Sequence, residues 1–236
     1  MTQKLYSKLI PVLELTKVDI DQMFTLFTEN FSNCKYRYFF RDLNNKQWVI
    51  QLFDSATNSI QGFSTLTIFP HKYLNRNITV VYAGDTIISK AFWGTNELSK
   101  SWIKSVLKLT ADKKNPVYWL LLSSGFRTYR FLPVFYREFF PRYDVQTPPD
   151  KQKLIDEIAG KLFGDEYFPE LGIVRFKESA TPLRKEFVNI DINRLQNPHV
   201  TYFLKKNPGY VNGDELACLT RIDQENFTQA GKRMAR

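Results

Sequence analysis

The chain has 236 residues, long enough for one large domain or a domain with a smaller appendage, and its 43% hydrophobic and 24% charged content excludes a disordered chain. Its formal net charge of +9 favours acidic partners, but the basic residues lie in separate clusters (Lys113-Lys114, Arg127 and Arg130, Lys205-Lys206, Lys232-Arg233) rather than one block. Apolar runs such as Trp119-Leu120-Leu121-Leu122 are far shorter than the roughly 20 residues of a membrane span, so no spanning helix is expected.

The N-terminal stretch Met1-Thr2-Gln3-Lys4-Leu5-Tyr6 lacks the apolar region of a secretory leader, and Cys34 and Cys218 then read as free thiols in a reducing, cytoplasmic setting. Thr16 opens a T-x-x-D capping pattern with Asp19, and Val18, Met23, Phe27 and Phe31 recur at helical spacing, which predicts a helix over Lys17–Asn30. A short second helix is expected over 39–43. Residues 47–53 read as a strand, and 60–69 as its hairpin partner, ended by Pro70. A turn at 75–77 leads into a strand over 78–88. Then follow a turn holding Gly94, a helix over Glu97–Leu109, a strand over 117–122 and an aromatic helix over 128–139. Beyond the Pro148-Pro149 linker we expect a helix at 151–163, a strand at 171–176, irregular chain at 180–197, a helix at 200–206, a strand at 216–219 and a last helix at 224–234. The division is a core at 1–145 and an extension at 146–236 packed on it.

A strand running into a turn and a helix aims free backbone N–H groups at one place, which suits a phosphate. Gly84-Asp85 in mid-strand suggests a bulge or a close backbone approach. For a general base the candidates are Asp85, beside the proposed groove, and His71, at a strand end and titrating near neutrality. Glu97, at a helix start, reads as a complement to the helix dipole. Arg127 and Arg130 could neutralise a phosphate. His71 and His199 are far apart and the cysteines lack C-x-x-C spacing, so no metal site is expected.

Helix, hairpin, strand, turn–helix, strand and helix over about 16–143 resembles the element order of the GCN5-related N-acetyltransferase (GNAT) superfamily. In that family the strand-to-helix turn carries a [Q/R]-x-x-G-x-[G/A] pattern that holds the acyl-CoA pyrophosphate. Ser89-Lys90-Ala91-Phe92-Trp93-Gly94 stands there: Gly94 keeps the pattern, Phe92 replaces the other glycine and Ser89 the basic or amide residue. Tyr136-Arg137-Glu138-Phe139-Phe140-Pro141 stands where the family often has Y-x-x-x-G-F, with Phe140 and Pro141 replacing its last two residues.

The resemblance implies an α/β (α+β) fold, a GNAT-like mixed and mostly antiparallel central sheet flanked by helices, here with a C-terminal α/β extension. It implies transfer of an acyl group from acyl-CoA, or from an acidic acyl carrier protein, to the amine of a small molecule or peptide. Tyr136 would protonate the departing thiolate. Asp85 or His71 would take the proton of the amine. Ser89, Lys90, Phe92, Trp93, Gly94, Thr95 and Ser123 would hold the donor. The bulky Phe92-Trp93 pair and the many aromatics suit a chain longer than acetyl. Two other readings stand beside it: a GNAT-shaped binding protein without chemistry, favoured by the degenerate turn, and a nucleic-acid-binding module, disfavoured by the scattered basic residues.

Overall fold

The computed structural model describes residues 4–236; residues 1–3 of the stretch read for a leader lie outside it. In chain order the elements are β1 (Leu5–Pro11), α1 (Lys17–Asn30), α2 (Tyr36–Asn44), β2 (Trp48–Asp54), β3 (Ile60–Tyr73), β4 (Arg76–Ile88), α3 (Glu97–Leu109), β5 (Val117–Ser123), α4 (Phe126–Tyr129), α5 (Phe131–Phe135) and β6 (Phe139–Phe140). The second part adds α6 (Pro149–Phe163), β7 (Tyr167–Phe168), β8 (Ile173–Val174), α7 (Lys185–Val188), α8 (Pro198–Lys206), β9 (Glu215–Arg221) and α9 (Gln229–Ala235).

Local chemistry starts the helices. The Thr16 side chain accepts from the Asp19 N–H while the Asp19 carboxylate accepts from Thr16, a complete capping box on α1. Proline in the first turns of α6 and α8 supplies a preset φ where no N–H partner is needed. The β3–β4 hairpin turns on Leu74 and Asn75, both at positive φ (45° and 61°), a two-residue reversal that matches the strand twist.

One sheet runs β1-β2-β3-β4-β5-β9-β8-β7, with β6 also on β9. Every pairing is antiparallel except β4 with β5. Strand β9 runs along β5, so strands from both parts of the chain share the sheet. Side chains alternate between its faces. On one face Val81, Ala83, Trp119 and Leu121 pack under Trp102, Ile103 and Val106 of α3. On the other, Val80, Tyr82, Leu120 and Leu122 meet Leu154, Ile155 and Ile158 of α6. The same face carries Val49 and Phe63 against Met23, Phe27 and Phe39 of α1 and α2. Each fully buried side chain of this size contributes about 1.5–3 kcal/mol.

The structure corrects several sequence expectations. Strand β1 was not anticipated; its outward polar residues hide the alternation, and pairing with β2 makes it a strand. Pro70 does not end β3, which runs on to Tyr73 with Pro70 opposite Thr79. The turn lies at Leu74-Asn75 rather than 75–77. The helix expected over 128–139 stops at Phe135; Tyr136 is extended and bridges Phe227, while Phe139 and Phe140 pair with β9. Aromatic residues suit a half-buried strand, and the residue before Pro141 is biased away from helix.

Candidate active site

Strands β4 and β5 are parallel partners from Thr79 opposite Val117 to Ala83 opposite Leu121, and there the pairing ends. Beyond it β4 continues on β3, while β5 continues on β9 to Ser123. The two central strands therefore part, leaving one edge of β4 from Gly84 onward without a strand partner. A bulge sits at the parting: Leu66 faces Ala83 and Ser64 faces Thr86, so Gly84 and Asp85 oppose Thr65 alone. A Cβ on Gly84 would lie 2.6 Å from Lys46 Cε and 2.7 Å from Thr65 Oγ1, so only glycine lets these groups approach.

A cavity of about 450 Å³ opens at this gap and passes from one face of the sheet toward the other. On the α3 side its wall is apolar and aromatic, including Ile88, Trp93, Phe126, Phe131 and Phe187. On the α2 and α6 side it carries the carboxylates Asp42, Asp85, Glu166 and Glu215 together with the cations Lys35 and Arg41 and the rings of Tyr82 and Phe163.

The carboxylates are electrostatically linked. Asp42 pairs with Lys46 at 2.6 Å, and the Lys46 side chain is only 2% exposed. Burial, then the Asp42 charge, push Asp85 up to about 7, with Lys46 opposing. Burial, then Asp85 and Asp42, push Glu215 up to about 8, again against Lys46. Both side chains keep part of their surface open to the cavity, and protein surrounds the rest. Carboxylates ionising near neutrality can accept and return a proton at working pH.

Asp85 is thus placed at the cavity, but several other predicted residues are not. Tyr136 is 1% exposed, off the cavity wall, and packed on Trp119 and Phe227 with its hydroxyl unpartnered. Burial holds its phenol far above the usual range, and it reaches neither cavity nor solvent. His71 sits opposite Ile78, with Nε2 3.6 Å from Glu157 Oε2. Ile78 and Asp85 are seven residues apart on β4, roughly 20 Å at the strand rise.

Of the residues assigned to the donor, Trp93 lines the cavity. Its indole donates to the Ile88 carbonyl (3.2 Å) and its ring meets Phe187, with the Arg127 guanidinium 4.6 Å above. Phe92 is buried beside Leu52 and Leu98. Ser89 donates its N–H to Gln61, and the buried Ser123 hydroxyl bonds the Gly125 carbonyl. Lys90, Gly94 and Thr95 are exposed and off the cavity wall. The N–H groups of Phe92, Trp93 and Thr95 bond carbonyls inside their own turn, at Ser89, Lys90 and Phe92. They are not free to hold a phosphate. The sequence reading missed Asp42, Lys46 and Glu215; no local pattern marks them, since α2 and β9 reach the gap only through the sheet topology.

Among the described residues, no group of three His, Cys, Asp or Glu side chains could hold a metal ion. Cys34 and Cys218 are free thiols. No described helix is long and apolar enough to cross a membrane.

The element order, the single parallel pair that parts at a bulge, and helices on both faces together decide the architecture. It is GNAT-like. No family model matches the sequence, and no curated protein does. Among solved structures, an Enterococcus faecalis V583 protein described as a probable N-acyltransferase is similar over 67% of this chain and 44% of its own, at 14% identity and TM-score 0.43. This chain thus spans less than half of that protein. The Escherichia coli GNAT-family protein YhbS, solved with CoA, is similar over 56% of this chain and 69% of its own, at 11% identity and TM-score 0.40. Arabidopsis thaliana NAA60, solved with a bisubstrate analogue, is similar over 60% and 92%, at 15% identity and TM-score 0.40.

Proposed function

We propose that the protein is an N-acyltransferase that moves an acyl group from an acyl-CoA thioester to an amine. The observation that carries this reading is Asp85, set by the bulge at the point where β4 and β5 part, inside a cavity with one wall that bears four carboxylates and one that is largely aromatic. The unpaired edge of β4 can hydrogen-bond an extended amide arm. The carboxylate-bearing wall would hold the acceptor as an ammonium ion. Ionised Asp85 takes the ammonium proton, directly or through water, and the neutral nitrogen then attacks the thioester carbonyl. Burial, then the Asp42 charge, raise the Asp85 carboxyl to about 7, and Lys46 keeps part of it ionised. Phe126, Phe131 and Phe187 leave apolar room for a chain longer than acetyl.

The residues fit the arm of a CoA donor better than its pyrophosphate, because three of the turn amides, those of Phe92, Trp93 and Thr95, are engaged within the turn. Arg127, Lys35 and Arg41 are the cations that can serve a phosphate: all three line the cavity, and among the described residues no carboxylate lies within 4 Å of any of them. Calorimetry with acetyl-CoA, octanoyl-CoA and a loaded acyl carrier protein, followed by turnover against a panel of amines, tests the reading. Asp85→Asn should lower turnover by about 100-fold or more while donor binding stays within about twofold. Failure of all three donors to bind would sink the enzyme. The engaged amides favour the second reading, a GNAT-shaped binding protein without chemistry; it is upheld if amines bind and no donor does.

A further inference from the structure

The stretch 177–188 crosses the open end of the gap between β4 and β5. One side of it is tied to the end of α1. The Ser32 N–H donates to the Pro182 carbonyl (2.7 Å) and the Arg184 N–H to the Asn30 carbonyl (3.0 Å), framing a bridge in which Phe31 faces Leu183. Asn33 Nδ2 donates to the Ala180 carbonyl, and Arg184 Nε to the Thr28 carbonyl. Its other side touches the wall beyond β5. Arg127 Nη1 donates to the Phe187 carbonyl (3.0 Å), Phe187 meets the Trp93 ring at 5.2 Å, and a Cβ on Gly125 would lie 2.9 Å from Leu183 Cδ1. Ser179, Thr181, Leu183 and Phe187 all line the cavity.

Residues 85–88 of β4 and 124–128 beyond β5 line the same cavity as Leu183 and Phe187, and Leu183 reaches from its bridge with Phe31 to Gly125. The ends of the stretch are pinned elsewhere. The Lys177 N–H donates to Glu166 Oε1, and the Tyr210 hydroxyl donates to the Val188 carbonyl. Between these pins the stretch is irregular, with one short helical piece and two apolar anchors, Leu183 and Phe187. Its remaining ties are hydrogen bonds near the surface that water can replace.

We infer that 177–188 is a strap that gates the cavity: it is closed in this structure and swings off the gap, between pins at Lys177 and Val188, to let a ligand enter. That the ligand is an acyl-CoA rests on the proposed function; the gate itself does not. The pattern around Phe31 and Leu183 is that of a non-hydrogen-bonded antiparallel pair, the closest kind, within the reach of a disulfide.

The test is a Phe31→Cys/Leu183→Cys protein carrying Cys34→Ser, studied reduced and oxidised. Trypsin cleavage after Arg184 and Lys185 reads opening, and calorimetry with octanoyl-CoA reads entry. The reduced protein should be cut first at these bonds and should bind. The disulfide form should resist cleavage there, and its affinity should fall by about tenfold or more. Cleavage and binding unchanged by the disulfide would make the strap a fixed wall and overturn the gate. If neither form binds octanoyl-CoA, the acyl-CoA donor is overturned, and the cleavage contrast alone decides the gate. Phe187→Ala, which needs no disulfide, should speed cleavage after Arg184 and Lys185 by a larger factor than it speeds cleavage elsewhere in the chain; an unchanged rate at these two bonds counts against the gate.

Discussion

Lys46 Nζ lies 2.6 Å from Asp42 Oδ1, one helical turn away in sequence, and its side chain is 2% exposed. The same ammonium lies 5.2 Å from the Tyr82 ring centroid and opposes the upward push on both Asp85 and Glu215. One buried cation thus serves three carboxylates. Replacing Lys46 by Met leaves Asp42, Asp85 and Glu215 uncompensated. Because Asp42 is itself half-exposed, we expect a loss of about 2–3 kcal/mol, below the full cost of breaking a buried pair. For a chain of this size that is a fall of about 5–10 °C in Tm, readable by calorimetric melting. A Lys46→Met protein that melts with the wild type would show the cluster to be well solvated.

The raised carboxyls make stability depend on pH. Asp85 and Glu215 move from the ordinary 3.8 and 4.5 to about 7 and about 8 in the folded chain. The folded protein holds these protons where the unfolded chain releases them. Their contribution is therefore complete below the ordinary carboxyl range and is lost as pH rises through 7 and 8. The melting temperature should fall between about pH 5 and pH 9, and Asp85→Asn/Glu215→Gln should flatten the fall. A wild-type melting curve that climbs over this range contradicts the shared burial of the two groups.

Gly84 holds the bulge open for Lys46 and Thr65. Gly84→Ala puts a methyl group 2.6 Å from Lys46 Cε and 2.7 Å from Thr65 Oγ1, inside van der Waals contact. Overpacking of this kind costs about 1–3 kcal/mol. The bulge also sets Asp85, so turnover should fall more steeply than stability. Denaturant melts run beside initial rates will separate the two; equal activity at lower stability would uncouple the bulge from the chemistry.

Tyr136 was expected from the resemblance to act as an acid, yet its hydroxyl is buried without a partner between Trp119 and Phe227. Tyr136→Phe removes an unsatisfied polar atom and keeps the ring. It should leave turnover within about twofold and raise stability by up to about 1 kcal/mol. A turnover loss of a hundredfold would instead require Tyr136 to reach the cavity in another conformation.

Much of the fold was legible because its signals are local. The Thr16–Asp19 capping box and the apolar spacing of Met23 and Phe27 marked α1 to the residue, and α3 was bounded equally well. Gly84-Asp85 announced the bulge, since a glycine within a β-branched strand needs a reason to be there. Where neighbours in space decide, local reading failed. Strand β1 exists because β2 pairs with it, and Phe139-Phe140 left the helical pattern because β9 offered a sheet edge.

The candidate site divides in the same way. The chain by itself determined the strand–turn–helix–strand order and pointed to Asp85, because capping, periodicity and glycine geometry act over a few residues. Only the tertiary structure decided which side chains meet Asp85. It brought Asp42 from α2 and Glu215 from a strand 130 residues further on to one cavity, with Lys46 from the turn after α2 paired behind Asp42, and it sealed Tyr136 in the core and held His71 at the far end of a hairpin. Charges and burial couple through space, and the spacing of residues along the chain does not record that distance.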